Sequence, residues 1–209
     1  MPNLVSFKRR ASNFQDRTSE YCGKKLRFLF APGSSFVCVK FLDCEMDLSN
    51  FSSAQLSDVT LSRTTLVGTT FRGAQLADVT FQGCDLAGAS FEGATLRNVS
   101  FERCSLEGAS FLGATLYRPV LFRGSNLLSA DLRFYESEAE APSFFECRIE
   151  GITVSINCEF WNGTFDQDAV RDFELLLARS SKDEKMIAAA KEKWGEAEYE
   201  RRDAYMRRV

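Results

Sequence analysis

Residues 71–90 read FRGAQLADVTFQGCDLAGAS and residues 91–110 read FEGATLRNVSFERCSLEGAS; laid side by side without a gap, they agree at eleven positions. Inside each block a large apolar residue recurs every five: Phe71, Leu76, Phe81 and Leu86, then Phe91, Leu96, Phe101 and Leu106. A period of five fits neither a helix at 3.6 nor a strand at 2. Two residues before each centre stands a compact one, such as Ala74, Val79, Cys84 or Ala89. That spacing lets both face one side of a short extended segment, after which the chain must turn to keep the next pair inward. Gly73, Gly83, Gly88, Gly93 and Gly108, each two after a centre, mark such corners. Four sides of five residues then close one coil of twenty.

Working outward, seventeen successive centres spaced by five run from Phe36 to Leu116, Phe111 among them. Stacked coils predict that Phe71, Phe91 and Phe111 share one wall, Phe81 and Phe101 the wall opposite, and Leu76, Leu96 and Leu116 a third. Neighbouring strands lie ~4.8 Å apart, which allows offset stacking of aromatic rings. Twelve of the nineteen phenylalanines fall on centres, so the aromatic excess reads as interior packing.

The units AQLAD, CDLAG, ATLRN, CSLEG and ADLRF resemble the A-(D/N)-L-x-x motif of pentapeptide repeat proteins. The resemblance implies an all-β solenoid, a right-handed quadrilateral β-helix of about six coils with a dry interior, over residues 34–166. It also implies a possible role: some members imitate duplex DNA, bind type II topoisomerases and protect them from inhibitors. Those members are typically dimers joined through C-terminal helices, with loops protruding from the rod. This chain departs from them in its charge. Residues 36–165 carry 9 Lys/Arg against 16 Asp/Glu, a modest excess, and residues 1–35 are basic, with 7 against 2.

The register breaks in three places, the last a one-residue slip between the centres Val154 and Phe160. One residue is inserted at YRPVL, where Pro119 sits, before centres resume at Phe122, Leu127 and Leu132. The next centre, Phe144, then comes twelve positions after Leu132, and the segment 134–142 is expected to bulge outward as an acidic loop. Tyr135, Glu136, Glu138 and Glu140 are its candidate partner-binding residues. Open sheet edges at both ends of a solenoid need cover. Residues 1–33 are expected to form a basic arm and cap, with 28–36 lying over the first coil. Residues 167–209 are expected to form a helical segment, its second helix spanning about 182–207. Ile187, Trp194, Ala197 and Tyr205 are the candidate contacts on that helix, which either caps the rod or joins two copies.

Composition closes other routes. No histidine is present among 209 residues, which removes His-based triads and the usual near-neutral general base. Seven cysteines include no C-x-x-C pair, and Cys44, Cys84 and Cys104 fall on one inward wall as compact buried groups. No phosphate-binding loop, dinucleotide motif or nucleophile elbow occurs. The expected reading is a cytoplasmic, non-enzymatic scaffold without cofactor or metal, which binds a protein that the sequence does not name; the alternative, implied by the resemblance, is a DNA mimic that binds a type II topoisomerase. No apolar run is long enough to span a membrane. Direct nucleic-acid binding through the basic arm finds no support in an aromatic-basic pattern.

Overall fold

The computed structural model describes residues 15–117, 119–135, 142–149, 151–153, 175, 178, 184–197 and 199–200. Ten short strands lie in one parallel sheet: β1 (Gln15–Arg17), β2 (Glu20–Cys22), β3 (Ser35–Val37), β4 (Lys40–Leu42), β5 (Gln55–Ser62), β6 (Gln75–Gln82), β7 (Thr95–Glu102), β8 (Thr115–Tyr117), β9 (Leu121–Arg123) and β10 (Ser143–Phe145). Each pairs with the strand one turn away, so Leu56, Leu76, Leu96 and Leu116 stand in one column and Leu61, Phe81, Phe101 and Phe122 in the next. The third and fourth sides are single parallel bridges, as in Glu45–Thr65–Asp85–Ser105 and Asn50–Thr70–Ser90–Ser110. About six turns stack in this way into a four-sided β-solenoid.

The interior follows the five-residue rule. All ten centres from Phe71 to Leu116 are buried. Phe71, Phe91 and Phe111 stack at 4.9 and 4.8 Å, and Phe81 and Phe101 at 4.9 Å. Rings of the two walls meet edge to face across the centre, Phe91 and Phe101 at 5.6 Å and 86°, the arrangement their quadrupoles favour. The compact position two before each centre adds hydrogen bonds where it is polar. Cys44, Thr64, Cys84, Cys104, Ser125 and Cys147 form one column, and each side chain donates to a backbone carbonyl of the coil before it. The cysteines described are free thiols. Burial pushes the Cys44 thiol up, and Cys104 is pushed up by its contact with Cys84 and by burial.

Corners explain the glycines. Leu86 C=O accepts from Ala89 N–H at 3.0 Å, closing a turn whose third residue, Gly88, has φ +63°. That left-handed geometry is what a type II turn demands. Asp78, Asn98, Arg63 and Arg103 adopt the same sign of φ without being glycine, so coil geometry overrides residue preference.

Three expectations need correction. The solenoid already includes Gln15, well ahead of residue 34, because positions 16, 21, 26 and 31 keep the phase of Phe36. The polar Asp16 and small Ala31 conceal this in the sequence. Asp16 is buried at a centre, where Ser19 Oγ donates to it at 2.6 Å and the Tyr21 hydroxyl also donates. Tyr21 in turn stacks on Phe41 at 5.2 Å. Second, Phe28 and Phe30 do not cover the coil; they are 61% and 51% exposed on it. Third, the expected helix over 182–207 is α1 (Glu184–Trp194), interrupted at Gly195 with φ +93° before helical residues resume at Glu196.

Residues 134, 135 and 142 of the expected bulge belong to the solenoid wall instead. Phe134 is buried against Phe111 at 5.9 Å, Tyr135 N–H still bonds Ala114 C=O, and Pro142 is buried again. Glu136, Glu138, Glu140, Tyr205 and the expected slip between Val154 and Phe160 lie outside the described residues. Leu175 and Ala178, both helical, form with Ala190 a small core to which Ile187, Trp194 and Tyr199 add; it is separate from the solenoid core. Ala197 is exposed. Among the described residues, no helix is long and apolar enough to cross a membrane.

Candidate functional site

Five successive turns pass from the first side to the second through a tight corner at Thr18, Cys38, Asp58, Asp78 and Asn98, all with φ between +52° and +57°. The sixth passage contains the inserted residue. Inside, nothing changes: Val120 is buried like Val99, and Phe122 stacks on Phe101 at 5.0 Å. The extra backbone is therefore absorbed on the outside, where Pro119 is exposed. Proline cannot take the positive φ of the earlier corners, which is a local reason for the chain to leave that path here.

A groove of about 360 Å³ lies beside this bulge. Its floor is the outward column Thr80, Ser100, Leu121 and Ser143, one residue from each of four successive coils. Asp78, Asn98 and Pro119 border one side, and Arg123 and Phe145 the other. The Arg123 guanidinium sits 5.5 Å from the Phe145 ring centroid. Asn98 Nδ2 donates to Asp78 Oδ1 at 2.7 Å, and Ser100 Oγ donates to Thr80 Oγ1 at 3.3 Å. Hydroxyls, one amide, one carboxylate and one guanidinium can orient a bound segment. They include no base poised on a nucleophile, and the described residues contain no group of three metal ligands.

Elsewhere the rod is close to electrically balanced. Across adjacent coils Lys25 pairs with Glu45, Arg27 with Asp47, Arg63 with Asp43 and Arg72 with Glu92, at 3.5, 3.4, 2.7 and 3.1 Å. Residues 36–135 carry 8 Lys/Arg and 10 Asp/Glu, whereas 136–165 carry 1 and 6. The acidity of the middle of the chain is thus concentrated beyond Tyr135, itself 66% exposed.

Of the candidate residues named from sequence, the ten centres form the core, and Ile187 and Trp194 pack in the helical cluster. None of them lines the groove. Its residues sit at outward positions of otherwise regular units, and the one sequence signal for it was the inserted residue at Pro119.

The five-residue units, the coil of twenty and the column-by-column register agree with a sequence comparison: a pentapeptide repeat region matches residues 34–111 and 62–132. The chain is a pentapeptide repeat protein. No curated protein matches it. Among solved structures it is similar to a pentapeptide repeat protein of the Arabidopsis thaliana thylakoid lumen, at 26% identity, covering 46% of this chain and 65% of that one, with a TM-score of 0.37. The match thus spans slightly less than two thirds of that protein. QnrB1, a plasmid-mediated fluoroquinolone resistance protein, is similar at 18% identity over 81% of this chain and 98% of its own, TM-score 0.32. HetL, involved in heterocyst differentiation regulation in the cyanobacterium Nostoc, is similar at 13% identity over 77% and 92%, TM-score 0.26.

Proposed function

We propose that this pentapeptide repeat protein is a non-catalytic scaffold that binds another protein, and that the groove beside Pro119 is its docking point. The observation that carries the reading is the contrast at the slip. The interior stack runs on undisturbed from Phe101 to Phe122, while the exterior opens into a concave surface spanning four coils. Rigid elements on both sides hold that surface in shape, as a binding site requires. The test is a pulldown from the native host with the intact chain, a chain lacking Pro119 and a chain lacking 136–141. One specific partner should be recovered with the intact chain and lost with the Pro119 deletion. Recovery of no specific partner, or equal recovery with that deletion, would sink the reading.

A narrower reading takes the partner to be a type II topoisomerase. It draws on the family resemblance and on the concentration of acidic residues in 136–165. The interlocked ion pairs of the rod weigh against mimicry of duplex DNA along its whole length. A supercoiling assay with DNA gyrase, with and without a fluoroquinolone, decides it: neither inhibition nor protection at micromolar protein removes this reading. Self-association through the C-terminal helices is a separate proposal, checked by solution mass with and without residues 182–209.

A further inference from the structure

We propose that the groove takes an extended peptide segment bearing an acidic side chain, whose carboxylate is held by Arg123. The inference rests on the scaffold reading and specifies the partner's chemistry at the same site. The coils flooring the groove already bond one another through their backbones, Thr80 to Ser100 and Ser100 to Leu121 in register. A ligand laid along the rod therefore cannot add to the sheet, and side chains must recognise it. Four coil levels span ~14 Å, the length of about four extended residues.

Arg123 supplies the selective element. Glu102 stands directly beneath it in register, yet the guanidinium lies over the Phe145 ring and forms no ion pair among the described residues. The cation–π contact keeps the guanidinium beside the ring, and its planar fork of N–H donors is the chemistry that suits a carboxylate. Elsewhere on the rod the arginines Arg27, Arg63, Arg72 and Arg133 are already engaged with carboxylates. Leu121 on the floor and Pro119 on the opposite side offer apolar contact, and Thr80 and Ser100 offer hydroxyls. Asp78 at the far rim disfavours a polyanion such as a nucleic-acid backbone, which needs clustered cations.

A random heptapeptide library displayed on phage, panned against the full-length protein, tests this without knowledge of the natural partner. Enriched peptides should share an Asp or Glu. The synthetic form of the best one should lose about tenfold or more in affinity when that residue becomes Gln, the scale of a charge-assisted hydrogen bond. Arg123→Gln should weaken the acidic peptide equally and abolish its advantage over the Gln form. Arg103→Gln, a substitution outside the groove, should change neither. No enrichment, a consensus without an acid, or an acidic preference that survives Arg123→Gln overturns the proposal. The two readings fail separately. A host partner still recovered with Arg123→Gln leaves the scaffold standing and removes the acidic contact; failure to recover any host partner removes the scaffold and leaves the peptide result intact.

Discussion

The turns between Phe71 and Phe111 and the turn that follows Leu116 differ by one residue at one corner. In the regular turns the corner residue, Asp78 or Asn98, is compressed into the left-handed region and the outer surface stays flat. In the later turn the chain bows out at Pro119 and a groove opens. Inside, the two are alike: Phe91 and Phe111 stack at 4.8 Å, Phe101 and Phe122 at 5.0 Å, Phe122 and Phe144 at 4.9 Å. The interior tolerates no change of spacing, because a shifted centre would leave a void between close-packed rings. A corner that faces water loses only one backbone arrangement. Shape can therefore change outside while the core is conserved inside.

The largest expected effect tests whether the two regions are equally packed. Phe91→Ala removes a ring stacked on both neighbours and should cost about 3–5 kcal/mol. Phe122→Ala should cost the same to within about 1 kcal/mol, since its ring is likewise fully buried between two others. Denaturant midpoints of the two variants measure this. A much cheaper Phe122→Ala would mean that the slip had loosened the core and the contrast drawn above is wrong. Deleting Pro119 should leave the midpoint close to the parent while abolishing peptide binding in the groove, because the turn would then have the length of the regular turns cornered at Asp78 and Asn98.

The same asymmetry explains what was legible in the sequence. Centres such as Phe71 and Leu76 reveal the fold because their environment permits only large apolar groups, and the repetition of that demand is visible as a period. Asp16 escaped notice because its burial is made tolerable by Ser19 and Tyr21, partners that only the closed coil brings together. Gly195 is visible in the sequence as a residue that weakens a helix interior, and it is where the helix expected over 182–207 is interrupted. The groove was hidden for another reason. Thr80, Ser100, Leu121 and Ser143 lie about twenty residues apart and have no common chemistry, and only the register puts them in one line.

A smaller effect separates the first turn from the regular ones. Tyr21 has its pKa pushed up to about 12, by burial first and then by the hydrogen bond to Asp16. The folded state thus holds the phenolic proton more tightly than the unfolded chain, whose value is the ordinary 10.0. This contribution is complete below pH 10 and is lost as pH rises toward 12. Unfolding followed by circular dichroism should show stability falling across that window, and Tyr21→Phe should flatten the fall. A drop of the same size in the Phe variant would assign it to other groups.

Corners come next. Gly93→Ala should cost about 1 kcal/mol from backbone strain, because a methyl group there meets nothing within 4 Å and only φ +62° opposes it. Asp78 and Asn98 hold similar angles as residue types that tolerate them better. Asp78→Ala should therefore lose the Asn98 hydrogen bond and gain strain together, exceeding Gly93→Ala. Equal midpoints would mean that corner angle alone governs the cost.

The smallest effect concerns the ion pairs that distinguish the flat coils from the groove. Arg63 donates to both carboxylate oxygens of Asp43, at 2.7 and 2.8 Å, and holds its pKa below the ordinary 3.8. A depressed carboxylate pKa stabilises the fold above that ordinary value and is lost as pH falls through the folded one, so any contribution should vanish in acid below about pH 4. Both side chains are widely exposed, 65% and 47%, and water and salt screen them. Arg63→Ala should thus shift the denaturant midpoint less than any substitution above, and 1 M NaCl should erase the shift. Arg123→Gln, which breaks no ion pair among the described residues, should leave the midpoint unchanged at either salt concentration. A loss of stability in Arg123→Gln that disappears in salt would mean that Glu102 or another carboxylate engages this guanidinium in solution, and the groove would then be no less neutral than the regular coils.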